Sequence, residues 1–371
     1  MKKGIIIALL AFIAISTKAQ EKKQTWINNV KLSGYSIIQY QASSQEEAKS
    51  NSFNLRIARV SLDGRILKDF YWKAQIQFNG NTSTLGSSPK VVDLFVEWQK
   101  YDFFRVKIGQ FKNPFTYENP MNPIDQGFMG YGQVVQKLAG FSDRAGAHSS
   151  NGRDIGLQFQ GDFLKNANGR NLIHYQVGVF NGQGINMKDV DEQKNIIGGA
   201  WVMPVPGMRI GAFGWTGSYA RKGTWTDGGG GNGVRKLQQR RYAFSAEYLV
   251  DDWTFRSEYI HSTGYAFAQT LTNTDNATNT NCNLSSNGDK AQGVYALIIA
   301  PIIKKKVHVK GRYDMYQPTG DSNKQKTQYE IGADYLFHKN FQISAEYSFV
   351  NDKSLSDRNY GIFDVEVAYR F

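Results

Sequence analysis

Cysteine is nearly missing from this chain: Cys282 stands alone, so no disulfide can form within it. Histidine is sparse too. His148, His174, His261, His308 and His338 have no neighbouring Cys or carboxylate at metal-ligand spacing, and none sits in a Ser/Asp pattern that suggests a nucleophile and its base. We therefore expect no metal, no cofactor and no catalytic activity. The one Gly-rich run, Asp227–Gly233, lacks the Lys-Ser/Thr and following helix of a phosphate loop and reads as an external loop tip. No basic helix or groove-reading motif accompanies the net charge of +12, so nucleic acid is not an expected partner. Long apolar runs are the other absence. Only Gly4–Ile15 qualifies, at about 12 residues where a spanning helix needs about 20.

That short run sits between Lys2-Lys3 and Thr17-Lys18-Ala19, the layout of a secretory leader cleaved after Ala19. The expected division is a signal peptide at 1–19, a short periplasmic segment at 20–29 and a single domain at 30–371. Loss of the three leader lysines lowers the formal charge from +12 to +9.

Aromatic residues are abundant, at 13%, and there are 37 glycines against 8 prolines. The mean hydropathy of −0.47 looks soluble, but a barrel with a wet interior scores the same, since half of each strand faces water. Sixteen stretches alternate apolar and polar residues with period two, each near the 9–11 residues of a tilted membrane strand. They fall at 30–40, 52–63, 70–79, 91–99, 103–110, 154–162, 171–181, 195–203, 208–219, 241–250, 253–262, 292–300, 307–317, 327–337, 341–350 and 360–371. In 341–350, for example, Phe341, Ile343, Ala345, Tyr347 and Phe349 form one face, and Gln342, Ser344, Glu346 and Ser348 the other. The stretch 52–63 changes phase, which a bulge near Ala58 would reconcile.

Connections between these stretches alternate short and long, as they do between the periplasmic turns and external loops of a transmembrane barrel. A soluble sandwich has no reason to place every long loop at one end. The longest connection, 111–151, has Pro114, Pro120 and Pro123 to stiffen it and Phe128, Met129, Tyr131 and Leu138 as apolar surface. Such a segment is expected to fold inward and set the pore width. The final strand ends on Phe371 after Val365, Val367 and Tyr369, a pattern that closes the barrel and resembles the C-terminal signature of bacterial outer-membrane proteins, read by the barrel-assembly machinery. The expected fold is therefore all-β: a closed, 16-stranded, antiparallel transmembrane β-barrel with short periplasmic turns, long external loops and an inward-folded third loop.

On the inward phase lie Lys73, Arg105, Lys107, Arg209, Arg256, Lys310, Arg312 and Arg370. Against them stand Asp93, Glu97, Glu247, Glu258, Asp314, Glu330, Asp334, Glu346, Asp364 and Glu366. The carboxylates crowd the last strands, which predicts a field across the bore. The long loop adds Lys112, Lys137 and Arg144. Arg105, Lys107, Lys112, Lys137 and Arg144 are the cations expected to draw an anion to the constriction. Cys282, in Asn/Thr/Ser-rich surroundings, reads as an exposed loop thiol without a role.

The segments Phe53–Ile66 (FNLRIARVSLDGRI), Val106–Phe115 (VKIGQFKNPF), Gly152–Gly161 (GRDIGLQFQG) and Gly178–Gly184 (GVFNGQG) resemble the phosphate-selective porin O and P family. The resemblance implies a bacterial outer-membrane porin, often trimeric, that takes up phosphate or other anions. It adds Arg56 and Arg59, which match the family's basic strand-two motif, and places Lys107 and Lys112 at the third-loop entrance. The expected function is passive diffusion of small hydrophilic solutes with a preference for small anions such as phosphate. Arg56, Arg59, Lys73, Arg105, Lys107, Lys112, Lys137, Arg144, Lys310 and Arg312 would contact the solute. The expected partners are outer-membrane lipid and a homotrimer's other copies. A structural or adhesin-type barrel plugged by its loops is the alternative.

Overall fold

The computed structural model describes residues 27–79, 89–145, 151–268 and 278–371. The expected leader, most of the 20–29 segment and His148 lie outside the described residues.

The strands are β1 (Ile27–Ser43), β2 (Ser50–Ile66), β3 (Phe70–Gln77), β4 (Lys90–Tyr101), β5 (Phe104–Lys112) and β6 (Arg153–Lys165). They continue with β7 (Asn171–Phe180), β8 (Asn195–Val202), β9 (Met208–Trp225), β10 (Gly231–Val250), β11 (Trp253–Thr263) and β12 (Thr278–Asn281). The last five are β13 (Lys290–Ile303), β14 (Val307–Gln317), β15 (Lys326–His338), β16 (Phe341–Asp352) and β17 (Asn359–Arg370). Each wall strand pairs antiparallel with its sequence neighbours, and β1 pairs with β17 as well as β2, so the sheet closes. β12 is the exception. It lies in the connection after β11, where it runs parallel to the upper end of β9, while β11 pairs directly with β13. Sixteen strands therefore make the wall, as the alternation predicts.

Side-chain period explains which face is which. On β16, Phe341, Tyr347 and Phe349 are exposed while Ser344, Glu346 and Ser348 are buried, and the same split holds for Tyr242 and Phe244 against Ser245 and Glu247 on β10. The outer surface is a continuous band of such exposed apolar side chains, which lipid covers. Closure is completed at Phe371, whose backbone N–H and C=O exchange 3.0 Å hydrogen bonds with Gly34. A Cβ at Gly34 would stand 2.5 Å from the Phe371 ring, so the seam needs glycine there.

The expected β2 bulge near Ala58 is present and centres on Arg56, between the pairs Ile37–Ile57 and Ile38–Leu55. The segment 220–240 is not a long loop: β9 and β10 run on as a paired hairpin to Trp225 and Gly231. At 20 residues β10 is about twice the length that spans the bilayer, so its upper half stands clear of it. Gly228, Gly229 and Gly230, all at positive φ, form the turn. Cys282 is also a correction. Its thiol is buried with Tyr219, Leu237 and Phe267 between this hairpin and the β12 segment, not exposed.

Candidate pore constriction

The connection from β5 to β6 folds into the barrel. Its neck is drawn shut where Asn113 N–H donates to Gly152 C=O (2.8 Å) and Asn119 Nδ2 donates to Asn113 C=O (2.9 Å). Inside, it forms helix α1 (Gln133–Leu138), whose Val134, Val135 and Leu138 are wholly buried. These apolar side chains, with Phe115, Tyr117 and Phe128, pack on an unusually apolar inner wall: Ile197, Phe213, Trp215, Ile260, Tyr295 and Leu297. A Cβ at Gly132 would lie 2.6 Å from the Tyr295 ring, so glycine lets the loop backbone approach there.

Charged wall side chains then grip the loop's main chain. Glu258 accepts from the N–H groups of Tyr117 (2.5 Å) and Glu118 (3.0 Å), Glu346 from Met129 (3.1 Å) and Asp314 from Gln133 (2.7 Å). In return Lys310 donates to Gly127 C=O (2.9 Å), Arg312 to Gly130 C=O (2.7 Å), Arg256 to Gln126 C=O (3.1 Å) and Arg241 to Leu138 C=O (2.9 Å). Hydrogen bonds to charged groups contribute about 1.5–3 kcal/mol each, so the loop is held far more firmly than an exposed one. Within the loop, burial pushes the Glu118 carboxyl above its ordinary range, and Arg312 opposes the shift.

Near its middle the loop crosses to the opposite wall. Ile124 packs against Tyr35, Ile37, Ile57 and Ala368, and Asp125 pairs with Arg370 at 2.8 Å. A cavity of about 240 Å³ lies on each side of this contact. The periplasmic one is bounded by Asp63, Lys73, Asp125 and Arg370, two charges of each sign. The external one has Arg56, Arg59 and Lys112 at its edge and, among the described residues, no acidic side chain lines it.

Most interior cations are already paired across strands. Lys73 and Arg153 share Asp93 (3.2 and 2.5 Å), Arg209 and Arg256 share Glu247 (2.8 and 2.7 Å), and Lys310 meets Glu346 at 2.6 Å. Lys107 lies 3.7 Å from Glu97, Arg105 pairs with Asp162, and Arg312 pairs with Glu330. Register thus brings the late carboxylates beside cations, including Glu366 beside Arg56, and the expected field across the bore gives way to local pairs.

Arg59 and Lys112 differ, since neither makes an ion pair among the described residues. Arg59 donates to Gln77 Oε1 (3.0 Å) and to the Tyr35 hydroxyl (2.7 Å). Lys112 has one long hydrogen bond, 3.4 Å to the Tyr131 hydroxyl, and its Nζ stands over the rings of Phe141 (4.3 Å) and Tyr131 (5.0 Å).

Of the ten cations singled out from sequence, the external cavity gathers Arg56, Arg59 and Lys112, and the periplasmic cavity takes Lys73. Lys310 and Arg312 lie under the loop and hold it. Arg105 and Lys107 sit in wall pairs below the constriction. Lys137, in the last turn of α1, lines neither cavity, and burial pulls its ammonium below the ordinary value. Arg144 donates to the carbonyls of Gly264 and Gly288 in the external cover. Sequence reasoning missed Tyr35, Gln77, Ile124 and Phe141 at the narrow region. Only the apolar content of the loop hinted at Phe141.

A closed sixteen-strand barrel with a lipid-facing outer band and an inward loop defines a porin-type barrel of the bacterial outer membrane. Residues 33–187 match the model of the family described as "Phosphate-selective porin O and P", so the resemblance holds over that part of the chain. A comparison with curated proteins finds no match. Among solved structures, a loop-deletion form of OmpT of Vibrio cholerae aligns with a TM-score of 0.60 at 12% identity, covering 92% of this chain and 99% of its own. The outer-membrane channel DcaP of Acinetobacter baumannii aligns with a TM-score of 0.60 at 12% identity, covering 95% and 100%. A trimer form of in-vitro folded OmpT of Vibrio cholerae gives 0.57 at 11%, covering 92% and 99%. At these identities the structures speak for the fold. With the family match, they support an outer-membrane channel for small solutes.

Proposed function

We propose that the protein is a porin for passive diffusion of small hydrophilic solutes that prefers anions over cations. The observation that carries this is the external cavity beside the constriction: among the described residues Arg59 and Lys112 pair with no carboxylate and no acidic residue lines the cavity, while Arg56 beside them pairs with Glu366. Within a narrow, partly desolvated passage a fixed charge acts across a low effective dielectric, where one unit charge at 4 Å is worth about 4 kcal/mol against about 1 in bulk water. Two such cations lower the barrier for an entering anion and raise it for a cation. Phosphate, the solute in the family's description, is one ion this cavity would admit. No covalent chemistry is involved, and flux follows the gradient.

Reversal potentials across a planar bilayer under a KCl gradient test the reading. The expected sign is that of a chloride-preferring channel, and a potassium-preferring one overturns it. A second reading is favoured by one contact: Ile124 seated on Tyr35, Ile37 and Ile57. If that contact is permanent the barrel is plugged, and reconstituted protein shows no conductance.

A further inference from the structure

We infer that the external cavity selects small organic carboxylates carrying an aromatic ring, in preference to inorganic phosphate. This deepens the anion-preferring reading above and rests on it. The two sides of the cavity differ in kind. One presents the guanidinium groups of Arg56 and Arg59 and the amide of Gln77; the other presents the rings of Phe141 and Tyr131 and Pro123, flanked by Gln136, Ser142 and Asn151.

Two cations at the cavity keep donors to spare. Arg59 has five N–H donors and two are engaged, through Nε and Nη1, so Nη2 is open to a carboxylate. Lys112 spends one of its three N–H bonds on the distant Tyr131 hydroxyl. Its ammonium lies over the Phe141 and Tyr131 rings, which themselves meet at 4.5 Å between centroids and 44° between planes. An anion that takes its charge to Arg59 and Lys112 therefore lays its remaining body along two aromatic rings and a proline.

That geometry suits an ion with a polar head and a flat apolar body. Phosphate displays oxygen in every direction and has no apolar body, so it gains nothing from the faces of Phe141 and Tyr131 that a ring would cover. A benzoate-like ion leaves no oxygen there and buries its ring instead. The cavity's 240 Å³ would hold about eight waters at liquid density, room for one ring and its carboxylate.

The test uses the full mature chain reconstituted in planar bilayers, with chloride as the charge carrier and sodium benzoate, sodium acetate and inorganic phosphate as added probes. Benzoate is expected to reduce the chloride current at concentrations at least fivefold lower than acetate or phosphate, and Phe141→Ala to narrow the benzoate-to-acetate ratio. Equal block by benzoate and acetate, or stronger block by phosphate, overturns the aromatic preference while leaving the anion preference standing. A potassium-preferring or non-conducting barrel overturns the anion reading, and this inference with it.

Discussion

Two stretches of the inner wall differ in what they turn inward. Strands β8 to β13 turn Ile197, Phe213, Trp215, Ile260, Tyr295 and Leu297 inward, whereas β2 and β3 turn Arg59, Ser61, Gln75 and Gln77 inward. A barrel whose bore was water throughout would have no use for the first set. The difference shows that one stretch of the wall is a dock and the other a bank of the channel. The loop leaves water by burying its apolar face on the dock, and its far edge meets the opposite wall at Ile124 with a cavity on either side of that contact. The pore is set by what the loop does not cover.

The sharpest way to break that division is to spoil the dock. Val134 is wholly buried in α1 against β13, so Val134→Asp places an unpaired carboxylate where burial costs several kcal/mol. The loop is expected to leave the wall and single-channel conductance to rise severalfold, while the closed barrel persists by circular dichroism. Next comes the grip on the main chain. Glu258→Ala strips the acceptor from the buried N–H groups of Tyr117 and Glu118, each left unsatisfied at about 1–3 kcal/mol. Current noise and protease cleavage within 113–152 are expected to increase.

On the bank, the Arg59→Gln, Lys112→Gln double variant removes both unpaired cations. The chloride-to-potassium permeability ratio from reversal potentials is expected to fall toward one, with little change in thermal stability. Ile124→Ala thins the contact between loop and bank and should raise conductance modestly without changing its ion preference. The smallest effect belongs to Asp125→Asn. Its pair with Arg370 is about two-fifths exposed on both sides, and such pairs contribute about 0–1 kcal/mol, so melting temperature should scarcely move.

Much of this was legible in the sequence for a plain reason. Wherever a strand touches lipid on one face and water or loop on the other, composition must alternate, and all sixteen wall strands show it. The method fails where lipid ends. In 220–240 Lys222, Lys236, Gln238 and Arg240 face outward above the bilayer, so the strand lacks an apolar face and reads as loop. The candidate site was half legible. Arg56, Arg59 and Lys112 could be named, but whether a cation is free depends on partners far along the chain. Lys310 meets Glu346 and Arg56 meets Glu366 through barrel register, not through proximity in sequence. Ile124 had no signal at all, since its role follows from where the loop comes to rest.

The wall holds the loop by peptide groups at Tyr117, Glu118, Gln126, Gly127, Met129, Gly130, Gln133 and Leu138. Apart from Gly127, whose positive φ and closeness to Ile299 call for glycine, nearly any amino acid supplies the same handles. The residues that look into the passage, such as Pro123, Tyr131 and Phe141, are thus uncoupled from much of the anchorage. A protein built this way can be retuned to a different nutrient by exchanging a few side chains, with the scaffold that presents them left in place.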